Sequence, residues 1–233
     1  VPLRAVAFDV DGTLYPNASM YLHSLGLALT NLPLLRALEE ARKELRDHPD
    51  TSVHLHHVQA QLVAHRLDMA PERAYALIEG RVYTRWYKIF SRLKVFPELK
   101  TTLEAFRARG LKLGVLSDFP IRGRLEGLGL AGPWDCAFSS EDTGYLKPHP
   151  QSFRLLADKL GLDPSEVLYV GNSYQYDVCG ARSAGMAVAH LTRRPRLDSQ
   201  ADFSFSRYRD LRAFVFRCLD DPGYNGPAGR VSS

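Results

Sequence analysis

The sequence predicts an α/β protein, a Rossmann-like doubly wound parallel sheet with an α-helical cap domain inserted near the N-terminus. Three observations predict it. Short apolar runs alternate with amphipathic helical patterns after residue 97, which is the signature of a parallel sheet with right-handed crossovers. One further apolar run, residues 5–8, stands apart at the N-terminus. Between the two lies a long segment rich in Leu, Ala, Arg and His with almost no β-branched runs, and it exceeds any single crossover helix.

The elements follow in order. Residues 5–8 are apolar throughout and end on Asp9, as expected of a strand buried on both faces. DVDGTLYPN follows, with Gly12, Pro16 and Asn17 as turn formers. Pro33, Pro49 and Pro71 punctuate residues 18–94 into several helices. In the last of these, Ile78, Val82, Ile89 and Leu93 share one face. Beside that face run Arg81, Arg85, Lys88 and Arg92, which read as a solvated basic stripe or, if they face the cleft, as an attractor of anions. Helices are expected at 98–109, 121–128, 149–161, 176–184 and 209–219. Strands are expected at 111–118, 137–139, 167–170, 186–191 and 202–205. The predicted division is a discontinuous core of residues 1–16 and 95–220, a cap of residues 17–94, and a mobile tail of residues 221–233.

Composition narrows the class. The chain has 233 residues, 45% of them hydrophobic and 24% charged, with a net charge of +4, which suits a globular protein with a substantial core. The mild basic excess fits a small anionic substrate, and the absence of a long Lys/Arg run argues against nucleic acid as a partner. No apolar stretch reaches the roughly 18 residues of a membrane span. Cys136, Cys179 and Cys218 lack metal-ligand spacing and read as free thiols, with Cys179 as helix packing. The N-terminus enters a strand at once, so no signal peptide is expected and the reading is cytoplasmic. Two decoys are set aside. In HLHH, His54 and His57 lie one helical turn apart, but no nearby Cys or acid completes a metal site. GLGLAG, residues 127–132, matches a dinucleotide fingerprint by letter but follows a helix rather than a strand.

In open parallel sheets ligands bind outside the carboxyl ends of the strands. Three strands here end on oxygen-bearing side chains: Asp9, then Ser117-Asp118, then Asn172, with Asp177 close behind. Lys147, in KPHP, precedes a helix and is within reach of the same cleft. A carboxylate pair, a hydroxyl, an ammonium and a further oxygen ligand are the parts that phosphoryl transfer needs. Asp9 and Asp11, two apart in an extended segment, point the same way. Gly12 lets the turn bring backbone amides close to phosphate oxygens.

These motifs resemble the haloacid dehalogenase superfamily of aspartate-nucleophile hydrolases, in its phosphatase-like branch. DVDGT matches the first motif, Ser117 in LSD the second, Lys147 in GYLKPHP the third and VGNSYQYD the fourth, with a helical insert between the first two. The resemblance implies that Asp9 is the nucleophile and Asp11 the general acid and base. It places Ser117, with Asp118 and Gly12, on the phosphate, and has Lys147 offset negative charge. It also implies a Mg²⁺ site served by Asp9, Asp11, Asn172 and Asp177, the last supporting the metal's water shell or orienting Lys147. The departure is Asn172, where the family has a carboxylate; an amide oxygen still ligates Mg²⁺ but brings no charge.

The implied activity is Mg²⁺-dependent hydrolysis of a small phosphorylated metabolite through an aspartyl-phosphate. A phosphomutase keeps every motif. A dehalogenase-type relative needs no proton donor at Asp11, and a weakly active phospho-ligand-binding protein is the third alternative.

Overall fold

The computed structural model describes residues 2–47, 55–121, 123–132 and 134–221. Six parallel strands form one sheet: β1 (Ala5–Phe8), β2 (Lys112–Ser117), β3 (Cys136–Ser139), β4 (Val167–Gly171), β5 (Ala187–Leu191) and β6 (Phe203–Phe205), in the order β3-β2-β1-β4-β5-β6. The order reverses between β1 and β4, so the crevice at their carboxyl ends is the topological switch point. Phe8 pairs with Val115 on one side and Val170 on the other, and the Asp9 amide continues the ladder to the Val170 carbonyl at 2.9 Å. That register brings Asp9 level with the ends of both neighbouring strands.

All four β1 side chains are fully buried because each face of the sheet carries helices. Val6, Phe8, Val115 and Val170 pack toward α5 (Leu99–Ala108) and α9 (Tyr208–Asp220). Ala5, Ala7 and Tyr169 pack toward α7 (Pro150–Leu160) and α8 (Cys179–Ser183). Short side chains on that second side let α7 approach closely; a Cβ on Gly114 would lie 3.0 Å from Leu156.

The described residues of the insert form helices joined by turns, with no strand among them. Helix α1 (Asn17–Asp47) passes through Pro33 rather than ending there, and it bends at Asn31, where φ is −135° and ψ 23°. Proline lacks the amide hydrogen and disfavours helical geometry just before it, which places the bend N-terminal to the ring. Helix α2 (Leu55–Arg66) follows, and Pro49 lies outside the described residues. Pro71 opens α3 (Pro71–Leu77), as its missing donor favours.

The expected last insert helix is three pieces: α3, a π-helical turn at Ile78–Tyr83, and α4 (Thr84–Phe90). In the π turn the Thr84 amide reaches back five residues to Glu79. The extra residue divides the predicted apolar face. Ile78 and Val82 join the cap's own core with Leu34, Leu38 and Val63, whereas Ile89 and Leu93 join the core under the sheet. Leu93 lies past the end of α4.

Two further expectations shift. The helix at 121–128 shrinks to α6 (Arg124–Gly127), bracketed by Gly123 and Gly129 at positive φ. The helix expected at 176–184 begins as a second π turn, Tyr174–Val178, before α8. Residues 222–233, expected to be a mobile tail, lie outside the described residues, as does His54. No helix among the described residues is long and apolar enough to cross a membrane.

Candidate active site

Four strand-end segments converge at the switch point. At the centre is Lys147, whose ammonium lies 2.7 Å from Asp9 Oδ1 and 2.7 Å from Asp177 Oδ1. All three side chains are buried. Burial alone would lower the lysine's pKa, but Asp177 and Asp9 outweigh it and hold the ammonium charged, well above the ordinary value.

Gly171 explains how Asp177 gets there. A Cβ at Gly171 would fall 2.3 Å from the Asp177 Cβ, so only glycine lets the π turn fold this carboxylate back over the end of β4. Its second oxygen accepts from the Ser173 amide at 2.9 Å. Of the two jobs expected of Asp177, this geometry supplies the orientation of Lys147; both carboxylate oxygens already meet donors of the chain.

Gly12, at φ +82°, lets the first loop press on two amides: a Cβ there would lie 2.5 Å from both Asn17 Nδ2 and Asn172 Nδ2. Beside it, Thr13 Oγ1 lies 2.9 Å from Asp9 Oδ2 and 3.1 Å from Asn172 Oδ1. One hydroxyl hydrogen serves one acceptor, so two oxygens face each other across a single donor. Burial raises the Asp9 carboxyl to about 7 against the pull of Lys147, with Asp177 and Asp11 adding to the rise. An excess of negative charge and hard oxygen donors at one point suits a small divalent cation. Among the described residues no three His, Cys, Asp or Glu side chains converge on a metal; the donors here are one carboxylate, one amide oxygen and the main chain. His190 braces Asn172 through a 3.1 Å contact to its carbonyl oxygen.

Asp11 sits differently from Asp9. Its carboxylate is held by Arg124 and by the Tyr15 hydroxyl, and its side chain is 30% exposed. Arg124 also donates to Ser117 Oγ at 2.9 Å and stacks on Phe90 of α4. Ser117 is fully buried and also accepts the Phe119 amide, which leaves its own hydroxyl hydrogen to donate. Arg124 thereby ties the first motif to the second. Sequence reasoning missed it, because one arginine in GRLEG reads as a surface helix residue.

Asp118, expected on the phosphate, meets donors of the chain itself. Its carboxylate accepts from Ser140 Oγ at 2.7 Å, the Lys147 amide at 3.0 Å and Arg46 Nη2 at 2.7 Å. Burial would raise this carboxyl, but Lys147, Arg46 and Arg42 together hold it down at about 2. An ionised, fully engaged carboxylate repels phosphate. Adjacent side chains at a strand end also point to opposite sides, so Ser117 and Asp118 serve different neighbours.

The cap helix α1 reaches this floor through two arginines. Arg46 bonds Asp118 and the Lys147 carbonyl, the latter at 2.9 Å. Arg42, buried, pairs with Glu141, touches the Asp118 carbonyl and meets Gln59 at 2.9 Å; Tyr83 donates to Glu141 at 2.8 Å. A small cleft opens alongside, lined by Tyr83, Trp86, Tyr87, Phe119, Pro120 and Arg124. Arg81, Arg85, Lys88 and Arg92 are all exposed and do not line it. His57 stacks against Tyr75 with ring centroids 6.0 Å apart.

A family model described as haloacid dehalogenase-like hydrolase matches residues 3–185. The chain is similar to a glyceraldehyde 3-phosphate phosphatase of Methanopyrus kandleri, at 32% identity over 94% of this chain and 100% of the relative. It is similar to a phosphoglycolate phosphatase of Yersinia pseudotuberculosis, at 32% identity over 82% of this chain and 81% of the relative. Its fold resembles a 2-haloacid dehalogenase from Pseudomonas syringae, with a TM-score of 0.67 at 24% identity, covering 92% of this chain and 99% of the other. It also resembles a HAD phosphatase from Thermococcus onnurineus, with a TM-score of 0.60 at 23% identity, covering 91% and 98%.

Proposed function

This chain belongs to the haloacid dehalogenase-like hydrolase family, and from that premise we propose that it is a Mg²⁺-dependent phosphatase acting on a small phosphorylated metabolite. The observation that carries the reading is the buried Lys147 ammonium bridging Asp9 and Asp177 at the ends of two neighbouring strands. Phosphatase relatives of similar length support the same class of reaction.

In this reading residues 1–16 and 95–220 form the catalytic core and residues 17–94 the cap. An Asp9 oxygen bonds to phosphorus as the leaving oxygen departs with the proton held by Asp11. Water then attacks the aspartyl-phosphate and gives its proton to Asp11, which frees inorganic phosphate and restores Asp9. Ser117 donates to the phosphate, and the backbone at Gly12 lies close to it. Lys147 keeps Asp9 placed and offsets charge, and Asp177 holds Lys147. Asp9, the Asp11 carbonyl and the Asn172 amide oxygen would hold Mg²⁺, which supplies charge neutralisation between the acids and the phosphate when bound. Three free cysteines support a reducing, cytoplasmic setting.

The test is hydrolysis of a generic aryl phosphate with and without Mg²⁺, for wild type and Asp9→Asn. Metal-dependent turnover lost in the variant is expected. Metal-independent halide release from a 2-haloacid would overturn the reading, as would phosphate binding with no turnover.

A further inference from the structure

We propose that the first half of α1 is a self-complementary surface on which a second copy of this chain docks, helix against helix about a two-fold axis. Before its bend, α1 buries only Met20, Leu27 and Asn31 against its own protein. On the opposite side Tyr21, Leu22, Leu25 and Leu29, with Leu32 just past the bend, are between 44% and 83% exposed. At 100° per residue these side chains form one stripe turned away from Met20 and Leu27. The helix is thus more apolar outward than inward, and no described residue covers the outward face.

Three features identify the occupant. Leu22, Leu25, Leu29 and Leu32 are spaced 3, 4 and 3 apart, the spacing of a seam that receives another helix. Residues 12–35 contain no Asp, Glu, Lys or Arg in a chain that is 24% charged. Depletion of charge marks the centre of a protein interface, and an uncharged patch meets its own copy without like-charge repulsion. The same depletion removes the basic face by which an interfacial helix holds a lipid surface. The stripe offers on the order of 600 Å² per copy, about what the lower end of stable interfaces requires. Gly26 lies among these leucines, and beyond its chain neighbours and its own helix backbone no described atom lies within 4 Å of a Cβ placed there, so a second backbone has room to approach.

Sedimentation velocity of the intact chain, up to about 100 μM because dimer stability scales with concentration, tests this. Wild type should sediment as two copies. Leu25→Glu/Leu29→Glu should weaken association at least about a hundredfold and sediment as one copy, with far-UV circular dichroism and Mg²⁺-dependent aryl phosphatase turnover unchanged. Leu25→Cys, near the centre of the stripe, should cross-link to itself on mild oxidation above the wild-type background. A wild-type monomer throughout the range overturns the proposal. So does a dimer that survives the double substitution, since its interface then lies elsewhere, or a Leu25→Cys protein that cross-links no more than wild type.

Discussion

Two buried charge clusters share the loop at Lys147, and they differ in balance. One holds Asp9 and Asp177 on Lys147 and Asp11 on Arg124, three carboxylates against two cations. Around Arg42 stand Asp118 and Glu141, against Arg42 and Arg46, with Lys147 also acting on Asp118 from the first cluster. Each cluster has two cations of its own; the first sets three carboxylates against them and the second two. In the first, a carboxyl is pushed up to about 7, and in the second one is held at about 2. The balanced cluster joins cap to core. The unbalanced one carries an excess of negative charge at the site we propose for a cation and a phosphate, which separates an ion pair that holds structure from one proposed for chemistry.

The contrast is sharpest if each cluster is broken in turn. Asp9→Asn removes the proposed nucleophile and should lower kcat by at least about 10⁴-fold, near 5.5 kcal/mol, with little change in the melting temperature. Phosphate release and a thermal melt on the same sample check both halves. Arg42→Met should do the reverse. It strands Glu141 without its cation and should cost about 3–5 kcal/mol of stability, read by urea denaturation.

Asp118→Asn should cost about 2 kcal/mol at neutral pH. The sign of its pH dependence follows from the depressed carboxyl. Its stabilisation is present above the unfolded value of 3.8 and is lost as pH falls toward about 2. The gap between wild type and variant should therefore hold from pH 7 to about 4 and narrow below it. Asn172→Asp adds the missing charge to the unbalanced cluster. It should lower the Mg²⁺ concentration for half-maximal turnover by about tenfold. An unchanged requirement would show that Asn172 is not a ligand.

The sheet was legible because its strands are apolar on both faces and end on oxygen-bearing residues, a pattern written over a few adjacent positions. Lys147, Asp9 and Asp177 were legible from motif order. The arginines beside them were not. Arg124 meets Asp11 across 113 positions and Arg42 meets Glu141 across 99, and neither partner differs locally from a solvated surface charge. Asp118 was grouped with Ser117 because adjacency along the chain concealed alternation across the strand. The π turns were invisible for a different reason: the reach of a backbone hydrogen bond leaves no mark on side-chain periodicity.

The π turn at Ile78–Tyr83 makes the last stretch of the cap sensitive to number rather than to identity. Its surface arginines are free to vary, since Arg81 and Arg85 face water. Its length is not. The turn already takes up one extra residue, so adding another would rotate everything downstream by about 100°. Phe90, which now lies under Arg124 and against Tyr15, would turn out of place, and the grip on Asp11 would go with it. A change in residue count far from the site would thus reach the proposed general acid, where most changes of residue type on the same surface would not.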